Sequence, residues 1–183
     1  MAYDTIMVFP GRFAEHIVAG RTHMINVSFQ VDTLEQRRGG TAANVCHSLA
    51  LLGERPLLCA AVGAADFDSY GAALETMGVD TSAALRCDDV GTAAAFITTD
   101  LDDNQITAFF AGAMARAAGV DLAALRDVEH VVVGADAADA MAAHIDQAGA
   151  LDARLVFAPA QQIPSLPEET LRRGLDGAWR RLL

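Results

Sequence analysis

The chain has 183 residues, and its 13 arginines, with no lysine, stand against 24 aspartates and glutamates, which gives a formal net charge of −11. Nucleic-acid affinity depends on basic side chains that release counterions from phosphates, so this acidic balance argues against a nucleic-acid partner. With 52% hydrophobic and 20% charged residues, the chain is too apolar to be disordered and long enough to bury a core. A soluble globular domain is therefore predicted.

Membrane and metal sites are not indicated by the sequence. No apolar run approaches the ~18 residues that a membrane span needs, and the N-terminus lacks a basic region followed by a hydrophobic one, so a cytoplasmic location is predicted. The three cysteines fit neither a disulfide framework nor a paired-thiol site and are interpreted as reduced, mostly buried side chains. The five histidines lack metal-ligand spacing, so no metal site is predicted.

The predicted elements, in chain order, begin with an alternation of apolar and polar residues over 21–31, which indicates a half-buried strand. Alanine-rich helices, each followed by a glycine suited to a left-handed cap (Gly53, Gly78, Gly149), are predicted over 42–52, 67–77 and 136–148. Short buried strands are predicted over 57–62, 130–133 and 155–157.

Two further elements have turn and cap signals. The strands 92–99 and 105–110 are joined by a turn rich in Asp and Asn, which predicts a hairpin. Ser165, followed by a proline and two acids, is typical of a helix start, and this last helix is expected to run toward Leu183.

The alternation of helices and buried strands predicts an α/β fold with a mostly parallel sheet covered by helices. The α/β core is expected to comprise residues 1–16, 39–90 and 111–183. Two antiparallel excursions leave this core, and they can pair into one small sheet that projects as a lid. The lid is expected to comprise 17–38 and 91–110.

The segment with the clearest chemical signal is the glycine pair Gly39-Gly40 ahead of a helix that contains Asn44. Without Cβ atoms a ligand can approach the backbone, and the first N–H groups of a helix remain available as donors. The amide of Asn44 donates and accepts at once, which suits a pair of sugar hydroxyls. A tight strand-to-helix turn with no ligand is the alternative interpretation. The segment is neither a dinucleotide fingerprint nor a P-loop, because the glycine spacing differs and no lysine is present.

These residues resemble a known family. The run Gly39-Gly40-Thr41-Ala42-Ala43-Asn44, followed by Gly53 and Gly63, is similar to the N-terminal signature of the PfkB, or ribokinase-like, carbohydrate and nucleoside kinases. The similarity extends over essentially the whole chain, looks closest to the bacterial adenosine kinase-like branch, and continues at 9–13, 98–105, 112–114 and 159–162. Two positions depart from the pattern: Cys46 replaces a small residue, and Ala158 stands where an aspartate often precedes the proline.

The resemblance implies a Rossmann-like ribokinase fold, in which helices flank a mostly parallel sheet and a small antiparallel β lid projects from it. It also implies phosphoryl transfer from ATP, with Mg²⁺, to a primary hydroxyl of a nucleoside such as adenosine, or of a sugar. Carried over by motif, the substrate-binding residues are Asp4, Gly39, Gly40 and Asn44.

Three more residues are candidates for the same substrate site. Phe109 is a candidate lid-side face for a base, although an aromatic residue on an alternating strand is also typical of core packing. Gln161 and Gln162 follow the carboxyl end of a strand, where α/β folds bind ligands. A solvated terminal acid is the alternative interpretation of Asp4.

The catalytic base, the phosphate clamp and the ATP pocket of the family belong to a later Gly-Ala-Gly-Asp type signature, which we expect beyond Leu183. The chain is therefore predicted to be the acceptor-binding portion of a kinase whose C-terminal part is missing, with ATP and Mg²⁺ used by the full-length parent. The N-terminus is also expected to be clipped, since Asp4 should end its strand. By itself the chain is predicted to be inactive, to carry no catalytic or metal-binding residue and to be marginally stable.

Two other functions stay open. A ribose or ketose kinase fragment differs from the nucleoside kinase only in the acceptor, and base-stacking aromatic residues in the lid discriminate between them. A non-catalytic ligand-binding or dimerising module is the other alternative, in which the lid buries Ile25, Val27 and Phe29 against a second copy. A degraded gene with no function of its own is a third reading.

Overall fold

The computed structural model describes residues 1–17 and 27–181. Within these ranges the strands are β1 (Ala2–Val8), β2 (Thr33–Gly39), β3 (Ala61–Gly63), β4 (Leu85–Cys87), β5 (Ala93–Thr99), β6 (Gln105–Phe110), β7 (His130–Gly134), β8 (Arg154–Ala158) and β9 (Ala178–Arg181). The α helices are α1 (Phe13–His16), α2 (Thr41–Leu51), α3 (Asp68–Thr76), α4 (Ala138–Ala150) and α5 (Glu168–Gly177). Two 3₁₀ helices span Gly112–Gly119 and Ala160–Ser165.

The chain divides into two compact units. The lid unit comprises residues 2–39 and 94–110, and the core unit comprises residue 1, residues 40–93 and the chain from 111 onward. Residues 2–16, which the sequence analysis grouped with the α/β core, lie in the lid unit. None of the described helices is long and apolar enough to cross a membrane.

The lid unit is built on a four-stranded sheet in the order β2-β1-β5-β6. Strands β1 and β2 are antiparallel, from Ala2 opposite Gly39 to Val8 opposite Thr33. Strands β5 and β6 form the predicted hairpin, also antiparallel. The hairpin shares one sheet with β2, but β1 lies between them. The carboxyl ends of β1 and β5 lie side by side, since the N–H of Phe9 donates to the carbonyl of Thr99 at 2.9 Å, so these two strands run parallel and the sheet is mixed.

Two predictions for the lid unit are wrong. The strand predicted over 21–31 lies partly outside the described residues, and the described part, 27–31, is not a strand, because β2 begins only at Thr33. The reason is packing against residues distant in sequence: the ring of Phe29 lies 4.8 Å from that of Phe9 and 4.9 Å from that of Phe13, measured between centroids. An aromatic cluster therefore holds this segment instead of a strand ladder. Asp4, expected at the end of a strand, is the third residue of β1.

One buried carboxylate organises the β5–β6 turn. Asp100 is 4% exposed and accepts hydrogen bonds from the backbone N–H groups of Phe13 (2.8 Å), Asp102 (2.9 Å) and Asn104 (2.9 Å). Burial by itself raises the pKa of Asp100, but these hydrogen bonds outweigh it and leave the pKa below its ordinary value. The same side chain thus connects the hairpin turn to the first residue of α1.

The core unit contains the parallel sheet β7-β8-β9, in which Val131 is opposite Leu155 and Gly134 is opposite Ala158. Helices α4 and α5 cover one face of this sheet. The cluster on that face is formed by Val133, Met141, Ile145, Leu155 and Phe157, with Leu171 and Leu175 packed against it. A parallel pair, β3 and β4, lies beside the 3₁₀ helix Gly112–Gly119. The predicted helices 42–52 and 67–77 are confirmed by α2 and α3.

The helix ends in the core unit agree only in part with those predicted from the sequence. Gly53 and Gly78 have φ of +90° and +94°, the left-handed conformation expected of them, whereas Gly149 lies inside α4. Helix α5 has no side-chain cap from Ser165 and ends at Gly177 instead of running toward Leu183. The chain then forms β9, because pairing with β8 gives the backbone groups along the open edge of β8 their hydrogen-bond partners.

The Asp100 network predicts a pH-dependent contribution to stability. In Asp100→Asn an amide N–H replaces an acceptor oxygen, so we expect the Tm of thermal unfolding to fall at pH 7 by roughly 2–4 °C or more. Because the folded pKa of Asp100 lies below its ordinary value, its contribution is complete above that value and is lost as the pH falls through the folded pKa. The Tm difference between wild type and variant should therefore shrink in acid.

Asp103→Asn is the matched control, since Asp103 is an exposed residue of the same turn. Its φ of +60° is one that asparagine also tolerates. Equal Tm values for the two variants at pH 7 would contradict the role assigned to Asp100.

Candidate functional site

The carboxylate of Asp4 lies directly against the Cα atom of Gly39. Asp4 is in β1 and Gly39 ends β2, the neighbouring strand. A Cβ atom at position 39 would overlap the carboxyl group of Asp4, so the glycine is what leaves room for it. Partial burial raises the pKa of Asp4. A carboxylate in this position has acceptor oxygens for hydroxyl donors of a ligand.

Gly40, the next residue, starts helix α2 in a conformation that requires glycine. Its φ is +94°, in the region that side chains with a Cβ atom avoid. The first helical hydrogen bond runs from the N–H of Asn44 to the carbonyl of Gly40, at 3.0 Å. The N–H groups of residues 41–43 precede this bond and point out of the helix end, where they are donors for a ligand.

Asn44 is exposed on α2. It lies in a shallow groove that runs along the helix. The groove is lined by Thr41, Asn44, Val45, Ser48, Leu49 and Leu52. Ser48, which also lines the groove, donates a hydrogen bond to the backbone carbonyl of Asn44 at 2.9 Å, and Asn44 lies in the first turn of the helix.

Phe109 lies on β6 opposite Ala95 and is 53% exposed. Its neighbour Phe110 lies opposite Ala94 and is 50% exposed. Successive residues of a strand point to opposite faces of the sheet, so the two rings have similar exposure on different faces. Phe109 is therefore accessible and is not a core residue of the lid unit.

Gln161 and Gln162 lie in the 3₁₀ helix that follows β8. Gln161 is exposed and Gln162 is half-buried, and the N–H of Gln162 donates to the carbonyl of Pro159 at 3.0 Å. Ala160, between Pro159 and these glutamines, has a φ of +45°, an unfavourable value for a residue with a Cβ atom. Such strain is found where surrounding structure holds a functional segment in place.

In the core unit, the start of α2 and the segment with Gln161 and Gln162 lie at one edge of the parallel sheet. Strands β7 and β8 are parallel and end in register at Gly134 and Ala158, so the segment with Gln161 and Gln162 begins at the carboxyl edge of both strands. A Cβ atom at Gly134 would lie 3.7 Å from Cγ2 of Thr41, which places the first turn of α2 at the same edge. Open α/β sheets bind their ligands at this edge.

Asp136 is a residue at this edge that the sequence analysis missed. It follows β7, its Oδ1 accepts the N–H of Ala137 at 2.8 Å, and burial raises its pKa. The signal was present, because an acid two residues after a buried strand occupies the place where such folds bind ligands.

Among residues 1–17 and 27–181, no group of three or more His, Cys, Asp or Glu side chains is arranged to hold a metal ion.

The chain is similar to nucleoside kinases and to sugar kinases. A nucleoside kinase of Methanothermobacter thermautotrophicus is 39% identical over 90 residues, which are 48% of this chain and 29% of that protein. The structure of a Burkholderia thailandensis nucleoside kinase in complex with inosine is 36% identical and has a TM-score of 0.85. A Methanocaldococcus jannaschii nucleoside kinase, at 24% identity and a TM-score of 0.82, shows the same ribokinase-like fold.

These comparisons also show how much of each relative's length the chain covers. The match covers 98% of this chain but 57% of the Burkholderia enzyme, and 97% of this chain but 56% of the Methanocaldococcus enzyme. The ribokinase-like α/β fold implied by the sequence motifs is confirmed. The family model for pfkB carbohydrate kinases matches residues 1–179, and the chain therefore belongs to the pfkB family of carbohydrate kinases.

Proposed function

We propose that the chain is the acceptor-binding portion of an ATP-dependent kinase that phosphorylates a primary hydroxyl of a nucleoside. The observation that carries this proposal is the carboxyl edge of β7 and β8, where the start of α2 meets the segment of Gln161 and Gln162. Helix N–H groups and side-chain amides together donate to and accept from hydroxyl groups, as a ribosyl group requires. The similar Burkholderia enzyme, which was solved with inosine, supports a nucleoside as the ligand.

Each predicted site residue has a role in this proposal, and that of Gly40 is to start α2, whose first N–H groups are donors. The amides of Asn44, Gln161 and Gln162 bind sugar hydroxyls at the edge of the core unit. In the lid unit, Asp4 accepts hydrogen bonds from hydroxyl groups, and Gly39 gives its carboxylate the room to do so. Phe109 stacks on the base. The domain assignment follows from the same proposal: residues 1–183 form part of one kinase domain.

ATP and Mg²⁺ are part of the proposal for the whole kinase. The Burkholderia nucleoside kinase was also solved in complex with ADP-inosine. Phosphoryl transfer needs cations to neutralise the developing charge and a base to position the hydroxyl. Kinases usually bind Mg²⁺ through one or two carboxylates together with substrate phosphates and water, and no step through Mg²⁺ is assigned to this chain. In this proposal, a part of the kinase outside this chain supplies the base and the cations.

The expected location of the protein is cytoplasmic.

A homodimer through the lid is proposed with a different set of residues from those in the sequence analysis. Ile25 lies outside the described residues, and Phe29 packs on Phe9 and Phe13 within one lid unit. The exposed face of the hairpin is the better candidate, with Phe96, Ile106 and Phe110 exposed on the same side. A lid that covers a ligand with one face leaves the other free for a second copy.

The nucleoside proposal is tested by the two neighbouring phenylalanines. Phe109→Ala removes the stacking face, and loss of base–aromatic stacking costs about 1–3 kcal/mol, so we expect inosine binding to weaken roughly 5- to 150-fold in calorimetry. Phe110→Ala is the matched control, because its ring has nearly the same exposure on the opposite face.

Equal weakening in both variants would contradict the role of Phe109. A chain that binds ribose as tightly as inosine, with no effect of Phe109→Ala, would favour the sugar kinase instead. A chain that binds neither ligand would leave the non-catalytic module as the better reading.

The contact between Gly39 and Asp4 predicts non-additive effects. Gly39→Ala displaces the carboxylate, and Asp4→Ala removes it, so each variant is expected to weaken inosine binding roughly tenfold by loss of a charged hydrogen bond. In the double variant the methyl group at 39 meets no carboxylate, so the loss should stay near tenfold. A loss near one-hundredfold in calorimetry would show that the two residues act independently.

By itself the chain is expected to show no ATP-dependent phosphorylation of inosine, adenosine, ribose or fructose. The reason is that we assign the base and the phosphate clamp to another part of the kinase. Product detection by mass spectrometry after incubation with ATP and Mg²⁺ checks this. Any phosphorylated acceptor that scales with protein concentration would contradict the proposed division of roles.

A further inference from the structure

An exposed tryptophan at the amino end of the sheet β7-β8-β9 has basic side chains around it. The Cζ atom of Arg180 is 4.2 Å from the centroid of the Trp179 ring, and that of Arg154 is 5.6 Å from it. The ring of His130 lies edge-on to the same indole, with 5.7 Å between the centroids. Trp179 is 49% exposed. These four residues, the Trp179 cluster, therefore form a feature of the surface and not of the core.

Strand pairing places the members of the cluster beside each other. His130 and Arg154 are paired in register as the first residues of the parallel strands β7 and β8, so both side chains leave the sheet on the same face.

A β-bulge in β9 places the tryptophan. Ala178 is opposite Leu155, whereas Arg180 is already opposite Val156, so Trp179 is an extra residue without a partner on β8. A bulge re-aims the side chain of the inserted residue, and bulges are frequent beside functional sites. The exposed indole is thus a consequence of the backbone geometry of β9.

The two arginines of the cluster are not neutralised. Within the described part of the chain, neither Arg154 nor Arg180 forms an ion pair, and Arg180 donates one hydrogen bond, to the backbone carbonyl of Trp179 at 3.4 Å. The two guanidinium groups on one indole therefore repel each other without a compensating negative charge. Six other arginines each pair with a carboxylate: Arg12, Arg37, Arg86, Arg116, Arg172 and Arg173.

We propose that the Trp179 cluster binds a phosphate group, which bridges the guanidinium groups of Arg154 and Arg180. A guanidinium has a planar fork of N–H donors that matches phosphate oxygens, and the Trp179 ring holds both forks in place before the ligand binds. A phosphate monoester carries about −1.5 to −2 charges at pH 7, so one group neutralises both arginines, whereas a single carboxylate neutralises only one. His130 adds a ring N–H as a third donor.

This phosphate site does not depend on the proposed function. The Trp179 cluster lies at the amino ends of the strands, whereas Gln161, Gln162 and the start of α2 lie at the carboxyl edge. Strand β7 has five residues, so the two edges are separated by roughly 13 Å. The phosphate group is therefore a ligand additional to the acceptor.

The experiment uses the fluorescence of Trp179, the one tryptophan of the chain. Inorganic phosphate should change its emission until the site is saturated, with the ionic strength held constant by sodium chloride. Arg154→Gln and Arg180→Gln each remove one charged fork, so each should weaken phosphate binding roughly tenfold. Arg172→Gln is the matched control: it removes the same charge from an exposed ion pair with Glu168 and should change the affinity by no more than about twofold.

Calorimetry tests the roles of the indole and of the ligand charge. Trp179→Ala leaves every charge in place but frees both guanidinium groups, so phosphate binding should weaken roughly fivefold or more. Glycerol 3-phosphate should bind about as tightly as inorganic phosphate, because only the phosphate group is recognised. Acetate should bind roughly tenfold more weakly, because it carries a single charge.

Four outcomes would overturn the proposal. The first is emission that does not saturate with phosphate. The second is equal weakening by Arg172→Gln and the two cluster variants, since net charge alone would then explain the binding. The others are acetate binding as tight as that of phosphate, and unchanged phosphate binding in Trp179→Ala.

Inosine binding, measured on the same variants, separates this inference from the proposed function. Arg154→Gln and Arg180→Gln should leave the inosine affinity unchanged, because they lie at the other edge of the sheet. A chain that binds phosphate but not inosine retains the phosphate site and loses the nucleoside proposal. The converse result retains the nucleoside proposal and rejects the phosphate site.

Discussion

The arrangement of the candidate site depends on two consecutive residues that lack a Cβ atom. At Gly39 the missing atom is a matter of space, because the carboxylate of Asp4 occupies its position. At Gly40 it is a matter of conformation, because the backbone enters α2 with φ of +94°. Gly39 is the last residue of the lid-unit segment 2–39, and Gly40 is the first residue of the core-unit segment 40–93.

The sequence predicted best those elements that local signals determine. The hairpin of β5 and β6 follows from alternation on both sides of an Asp-rich turn, and the buried acceptor that fixes the turn, Asp100, belongs to that same signal. Helices α2 and α3 end at Gly53 and Gly78, whose left-handed conformation a single residue type indicates. In these places propensity and tertiary packing favour the same structure, so local reasoning was sufficient.

The sequence predicted poorly those elements that non-local contacts determine. Alternation over 27–31 indicated a strand, but the contacts of Phe29 with Phe9 and Phe13 come from residues about 20 positions away. The residues after α5 have no strand signal of their own, and β9 exists because β8 has a free edge to pair with. Asp136 is a different case: its position two residues after β7 was a local signal in the sequence, and the fold adds that the ends of β7 and β8 and the start of α2 lie together there.

The chemistry of the proposed site residues suggests where acceptor specificity lies. Hydroxyl groups of a ribosyl group are common to nucleosides and to free sugars, so amides such as those of Asn44 and Gln162 cannot distinguish the two classes of acceptor. Only a base offers a large apolar face, and among the predicted site residues only Phe109 offers a matching one. A change of substrate class between related kinases would thus require changes mainly in the lid hairpin. The helix start and the carboxyl edge of the sheet, to which the proposal assigns the sugar hydroxyls, would stay the same.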